Sequence, residues 1–276
     1  MSRRNRKRRG KSFKNSLYLW VGGSLIVAVV GIAVTIIIQI PDTVELDAVT
    51  LCPVKDGPTG YTTIVIDRTD SFGPISKADV EVQLRDIIDR TKESEKVSLF
   101  TVESTEDEPL HSLISVCNPG SPDNVDEWKE SPTIVKRNWK TKFQGPLDTL
   151  LNGLLTEEEA PLSPIMESIQ SVSITNLGGK KKSLVPRRII LISDLMQNSQ
   201  AWSLYSQKPD FSMFSKALQT RGLNPDLRNV SVELLFLQRN TKQRVNEKEL
   251  LKFWISWVKA YGGKVSRVLK ISGMNE

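Results

Sequence analysis

The chain has 276 residues, with 38 Lys and Arg against 32 Asp and Glu and a formal net charge of +6. A nucleic-acid binder fits that total but not its distribution. Eight basic residues (Arg3, Arg4, Arg6, Lys7, Arg8, Arg9, Lys11 and Lys14) precede residue 17 with no acid among them, and the remainder carries 30 basic residues against 32 acidic, a net of −2.

Residues 1–16 therefore read as a basic tail, and Leu17 to Ile40 follows as 24 residues without a charge. An apolar run of that length spans a bilayer core as one helix, and flanking basic residues hold their side in the cytoplasm. The run is too long for a signal peptide and ends in Ile36, Ile37, Ile38, Gln39, Ile40 and Pro41, with no small-residue cleavage pattern. A retained anchor with everything after Asp42 outside is the expectation, in a bacterial inner membrane facing the periplasm by preference. The tail would also meet anionic lipid. Ser24 with Ala28, and Gly31 with Thr35, make small-xxx-small pairs that would suit a homo-oligomer.

Residues 41–58 are expected as a linker and 59–276 as one α/β domain with an insertion near 118–161. Tyr61 to Ile66 is a β-rich run ending at Asp67. Ser76, with Asp79 three residues on, is expected to cap a helix whose apolar stripe is Val80, Leu84, Ile87 and Ile88. Val97 to Val102 and Ser112 to Cys117 read as strands. The short acidic connection between them, with Pro109, admits no helix and predicts an antiparallel pair. His111, the single histidine, reads as a surface residue.

Between Asn118 and Pro161 the pattern loosens, except for a helical stripe of Leu147, Leu150, Leu151, Leu154 and Leu155 behind Pro146. Ser163 to about Val172 is a further helix, and Gly178 to Ser183 (GGKKKS) a solvated turn that lacks a phosphate-loop pattern. Arg188 to Asp194 is an apolar strand, Phe211 to Thr220 a helix, and Val230 to Gln238 a strand. Asn246 with Glu249 caps a helix bearing Leu250, Trp254, Trp257, Val258 and Tyr261 on one face, ended by Gly262 and Gly263. Val265 to Ile271 alternates as an edge strand does. The fold class is α/β: a doubly wound, mostly parallel sheet with one antiparallel strand.

Only Cys52 and Cys117 are cysteines, and both lie beyond the apolar run, where disulfides persist. An antiparallel third strand ends near the beginning of the first, which brings the two within bridging range.

In such a sheet the ligand site lies beyond the carboxyl ends of the strands. Asp67 and Asp194 stand there. Asp67-Arg68-Thr69-Asp70-Ser71 places a carboxylate and two hydroxyls on one loop, and Ser163 lies between the two carboxylates in sequence. Two carboxylates and three hydroxyls are hard oxygen ligands suited to Mg²⁺, or to Mn²⁺ or Ca²⁺. Without a cation, the same loop residues would cap the following helix and satisfy loop amides.

On these residues the chain resembles the von Willebrand factor A domain with its metal-ion-dependent adhesion site. Asp67, Thr69 and Ser71 match its D-x-S-x-S element with Thr in place of the first Ser. Ser163 takes the place of a loop Thr, and Asp194 that of the final Asp. Arg68 stands where the family often has a small residue, and Leu195 where Gly is common. The resemblance implies a bound divalent ion whose open position takes a carboxylate of a protein partner. The expected function is a membrane-anchored extracytoplasmic binding and assembly module. A metal-free structural module is the alternative and a phosphatase-like hydrolase the third reading. Haloacid-dehalogenase-type phosphatases need D-x-D, but Thr69 fills the third position, and SDLMQ resembles a receiver strand without its paired acids. Nucleic acid is not an expected partner.

Overall fold

The structure, a computed structural model, describes residues 23, 25–32, 44–69, 74–103, 110–120, 132–154, 160–218, 222–238 and 245–272. The chain divides into two compact units, Met1–Val44 and Glu45–Glu276. In the first, Gly23 and residues 25–32 are helical. The rest of the expected span 17–40, Ser24 and Thr35 included, and the basic tail lie outside the described residues. Among the described residues no helix is long and apolar enough to cross a membrane.

The second unit is built on a six-stranded sheet. Its strands are β1 (Gly60–Asp67), β2 (Glu95–Val102), β3 (Ile114–Cys117), β4 (Arg187–Ser193), β5 (Val230–Gln238) and β6 (Lys264–Ser272). They lie in the order β3-β2-β1-β4-β5-β6. Only the β2–β3 pair is antiparallel, with Lys96 opposite Cys117. This is the doubly wound sheet with one antiparallel strand that the sequence predicts. The helices are α1 (Pro74–Asp89), α2 (Pro132–Asn138), α3 (Gly145–Leu154), α4 (Ile165–Thr175), α5 (Phe211–Leu218) and α6 (Glu247–Ala260).

Alternation along each buried strand divides the core in two. Ile64, Ile66, Ile190, Ile192, Leu235 and Leu237 meet Val80, Leu84, Ile87 and Ile88 of α1 and Leu147 of α3 on one face. Val65, Ile189, Leu191, Leu234 and Phe236 meet Ile165, Ile169 and Val172 of α4, Phe214 of α5 and the aromatic stripe of α6 on the other. That stripe is core, as its spacing predicts: Trp254 and Trp257 are fully buried and pack edge to face, ring centroids 5.4 Å apart.

Three local expectations are corrected. Ser76 does not cap α1; the helix starts at Pro74, whose fixed φ suits a first turn, and places Ser76 inside it. Ser163 does not open α4, which starts at Ile165 behind Pro164. Within the loose segment residues 132–154 are helical: α2 runs through a π-helical turn, Trp139–Gln144, into α3. Its apolar face is short and interrupted, but Phe143 and Leu147 bury completely against the sheet. His111 is exposed ahead of β3, as expected.

Residues 45–58 pack on the domain. Leu46 and Pro53 form a bridge, Thr50 O accepts from Cys117 N at 2.8 Å, and Cys52 is disulfide-bonded to Cys117 with Cα atoms 4.9 Å apart. The bridge expected from strand direction is present, because β3 returns Cys117 to the edge where β1 and β2 begin.

Candidate functional site

Strand β1 is paired on one side with β2 and on the other with β4, so the connections from its carboxyl end diverge. A sheet of this kind opens its crevice there. Asp67 ends β1 and Asp194 follows β4, with side chains 0% and 5% exposed. Asp67 shares the side of the sheet of Val65, and Ser193 that of Leu191, so both aim toward the loop that leads into α4.

The Asp67 carboxylate is fully engaged. Its Oδ1 accepts from Thr69 N at 3.1 Å and Thr69 Oγ1 at 2.7 Å. Its Oδ2 accepts from Ser163 Oγ at 3.0 Å and Ser193 Oγ at 2.8 Å. Ser163 is held by a two-way bridge with Asn198 (N to O 2.8 and 2.9 Å) and Thr69 by Ala160 N on its carbonyl at 3.0 Å. Four of the residues singled out in the sequence, Asp67, Thr69, Ser163 and Asp194, thus belong to one site at one edge. Ser71 lies outside the described residues. Ser193 joins them: RIILISD places a hydroxyl directly before the acid, and its parity with Leu191 is the signal that aims it at Asp67.

Burial and the charge of Asp67 push the Asp194 carboxyl up to about 7, against the opposing pull of N–H groups and the Ser193 hydroxyl. Its Oδ1 accepts from Met196 N at 3.0 Å. Arg68, next to Asp67 in the chain, is half-buried. Tyr205 stands at the rim: burial first, then Asp194 and Asp67, raise its hydroxyl's pKa.

The loop after Asp194 is clamped. Leu195 adopts φ +63° with its side chain buried, a conformation that costs a non-glycine residue about 1 kcal/mol. Its carbonyl accepts from Trp254 Nε1 at 2.9 Å and Gln197 N at 3.0 Å. Gln197 is fully buried; its Oε1 accepts from Met166 N at 2.8 Å in the first turn of α4 and its Nε2 donates to Glu167 at 2.9 Å. Strand end, α4 and α6 are locked together behind the carboxylates.

The donor set suits a hard divalent cation. Each hydroxyl that gives its proton to Asp67 retains lone pairs, and two buried carboxylates in mutual repulsion want a positive charge between them. Thiolate and imidazole are not part of the site, and among the described residues no three His, Cys, Asp or Glu side chains gather as for a metal ion. Among the described residues, the side-chain oxygens a cation could meet here are those of hydroxyls and two carboxylates.

No protein-family model and no curated protein matches the chain. Solved structures similar to it include the conserved hypothetical protein BatB from Bacteroides thetaiotaomicron, at 14% identity over 78% of this chain and 91% of that one, TM-score 0.38. A von Willebrand factor type A protein from Catenulispora acidiphila is 13% identical over 76% of this chain and 39% of its own, TM-score 0.37. The manganese-loaded TRAP protein of Plasmodium vivax is 14% identical over 71% and 62%, TM-score 0.35. Likenesses of this size assign neither family nor function.

Proposed function

We propose that this chain is a von Willebrand A-like binding module, anchored by residues 17–40 with its domain outside the membrane, that takes a protein partner through a divalent ion. The ion, Mg²⁺ by preference, would be held by Asp67, Thr69, Ser71, Ser163 and Asp194 and would supply an electropositive open position for a partner's carboxylate. The observation that carries the reading is the pair Asp67 and Asp194: buried together at the switch point of the sheet, surrounded by hydroxyls, with Asp194 pushed up to about 7. Two buried carboxylates that repel each other cost stability, and a cation between them lowers that cost. The disulfide fits an oxidising compartment beyond the membrane.

The metal-free alternative has its own support, since three hydroxyls already satisfy Asp67 and a proton on Asp194 can replace the ion. Titration of the purified protein with MgCl₂ and MnCl₂, followed by melting temperature, separates the two. A saturable rise that is lost in Asp67→Ala supports the metal site. Equal melting in EDTA and in Mg²⁺, with equal partner recovery from membranes, supports the metal-free module.

A further inference from the structure

The opposite edge of the sheet, where β1, β2 and β4 begin, carries a second constellation. Tyr61 of β1 is paired in register with Lys96 of β2, and Lys96 stands opposite Cys117 of β3 on its other side. Tyr61 and Val65 belong to the core under α4, and so do Phe100 and Val102. Lys96 has the parity of Phe100 and Val102, so its side chain leaves the sheet on that same face. It stands between the Tyr61 ring and the Cys52–Cys117 disulfide.

The loop after α4 brings a second cation to that ring. Lys182 Nζ lies 5.6 Å from the centre of the Tyr61 ring and donates to Asn176 O at 2.8 Å. Ser183 N donates to Gly179 O at 3.2 Å and Ser183 Oγ to Lys180 O at 2.7 Å, which closes the loop as a turn around Lys182. Lys96 and Lys182 are both half-buried. Burial lowers the pKa of each ammonium, and the charge of Lys96 lowers that of Lys182 further.

Two donors at this place are unused. Among the described residues the Lys96 ammonium makes no hydrogen bond and no ion pair. The Tyr61 hydroxyl likewise makes no hydrogen bond, on a residue only 9% exposed. Glu95, next to Lys96 in the chain, lies on the other face, where it meets Thr62 and Arg188. Two like charges held together away from bulk water repel, and an anion between them lowers that cost. A carboxylate answers one ammonium. A phosphate monoester carries a charge of about −1.5 to −2 at neutral pH and three acceptor oxygens, which matches two ammonium groups and a phenol.

We propose that Lys96, Lys182 and Tyr61 form a binding site for a phosphate dianion, as the inorganic ion or as a monoester. The inference rests neither on the carboxylate site at the other edge of the sheet nor on the anchor.

The test is equilibrium dialysis of radiolabelled inorganic phosphate against the full chain in a nonionic detergent, with EDTA present and ionic strength held constant. Saturable binding is the expected result. Lys96→Met should weaken it about tenfold, the loss of one charge-assisted contact. This variant keeps the stem and removes a half-buried charge, so its melting temperature should not fall. If it does fall, Tyr61→Phe, which removes the hydroxyl alone, carries the comparison and should weaken binding by a smaller factor. Glycerol phosphate that competes as well as phosphate marks a monoester site, and glycerol phosphate that fails to compete marks a site for the free ion; both support the proposal. Acetate competing as well as phosphate overturns it. So does the absence of saturable binding in the unaltered chain. Binding unchanged by Lys96→Met but lost in Lys180→Ala with Lys181→Ala also overturns it, because the anion would then sit on the exposed lysines of the loop.

Discussion

Asp67 and Asp194 hold the energetics of the site between them. Asp194 titrates near 7 in the folded domain against an ordinary value of 3.8 because burial and Asp67 oppose its charge. The native state therefore holds a proton that the unfolded chain releases, and stability falls as pH rises from about 4 to 7, then levels. The slope is at most about 1.4 kcal/mol per pH unit. In EDTA the melting temperature should drop over that window, and Asp194→Asn should flatten the drop. Saturating Mg²⁺ should raise the melting temperature most above pH 7, where Asp194 is ionised. Asp67→Ala should return Asp194 toward an ordinary carboxyl and erase the Mg²⁺ response. It strands the hydroxyls of Thr69, Ser163 and Ser193, a loss of about 1–3 kcal/mol measured by urea denaturation.

At the scale of elements, α6 and the disulfide brace the two edges. Asn246 Oδ1 accepts from Lys248 N at 3.0 Å and Glu249 N at 3.4 Å, the cap its sequence predicts. Trp254 reaches from the middle of that helix to the Leu195 carbonyl. Trp254→Phe keeps most of the buried ring but leaves that carbonyl without its indole donor; a cost of about 1–3 kcal/mol is expected. It should also quicken hydrogen exchange at Leu195 and Met196 and weaken Mg²⁺ binding, because Leu195 holds its positive φ only while its surroundings enforce it. At the other edge, Cys52–Cys117 closes a loop with a sequence separation of 65. Cys52→Ser with Cys117→Ser should cost about 4 kcal/mol by chain entropy. The melting temperature in dithiothreitol should fall to that of the double variant.

For the whole molecule, the charge asymmetry sets the expected topology. All eight tail cations precede the apolar run, and the remainder carries a slight negative net charge. Protease added to intact spheroplasts should digest the domain and leave the tail protected; the reverse pattern would invert the topology.

Much of this was legible in the sequence. The apolar stretches Ile64 to Ile66 and Ile189 to Ile192 mark buried parallel strands, since strands covered on both faces lack alternation. The acids at their ends mark the crevice, and the Trp254 and Trp257 stripe marks a helix on a sheet. Helix starts were less legible: Ser76 has the chemistry of a cap, but Pro74 is the better first-turn residue and won. Residues 132–144 bury too few apolar side chains to announce a helix, and are helical because Phe143 finds the sheet. Ser163 belongs to the site by a bridge to Asn198, and Ser193 by strand parity; neither contact is local in sequence. The chain's own residues determined the fold class and the carboxylates, because periodicity and strand-end chemistry are local. Only the tertiary structure decided which hydroxyls hold Asp67 and that Asp194 is pushed toward neutrality. Those depend on distances between segments far apart in the chain.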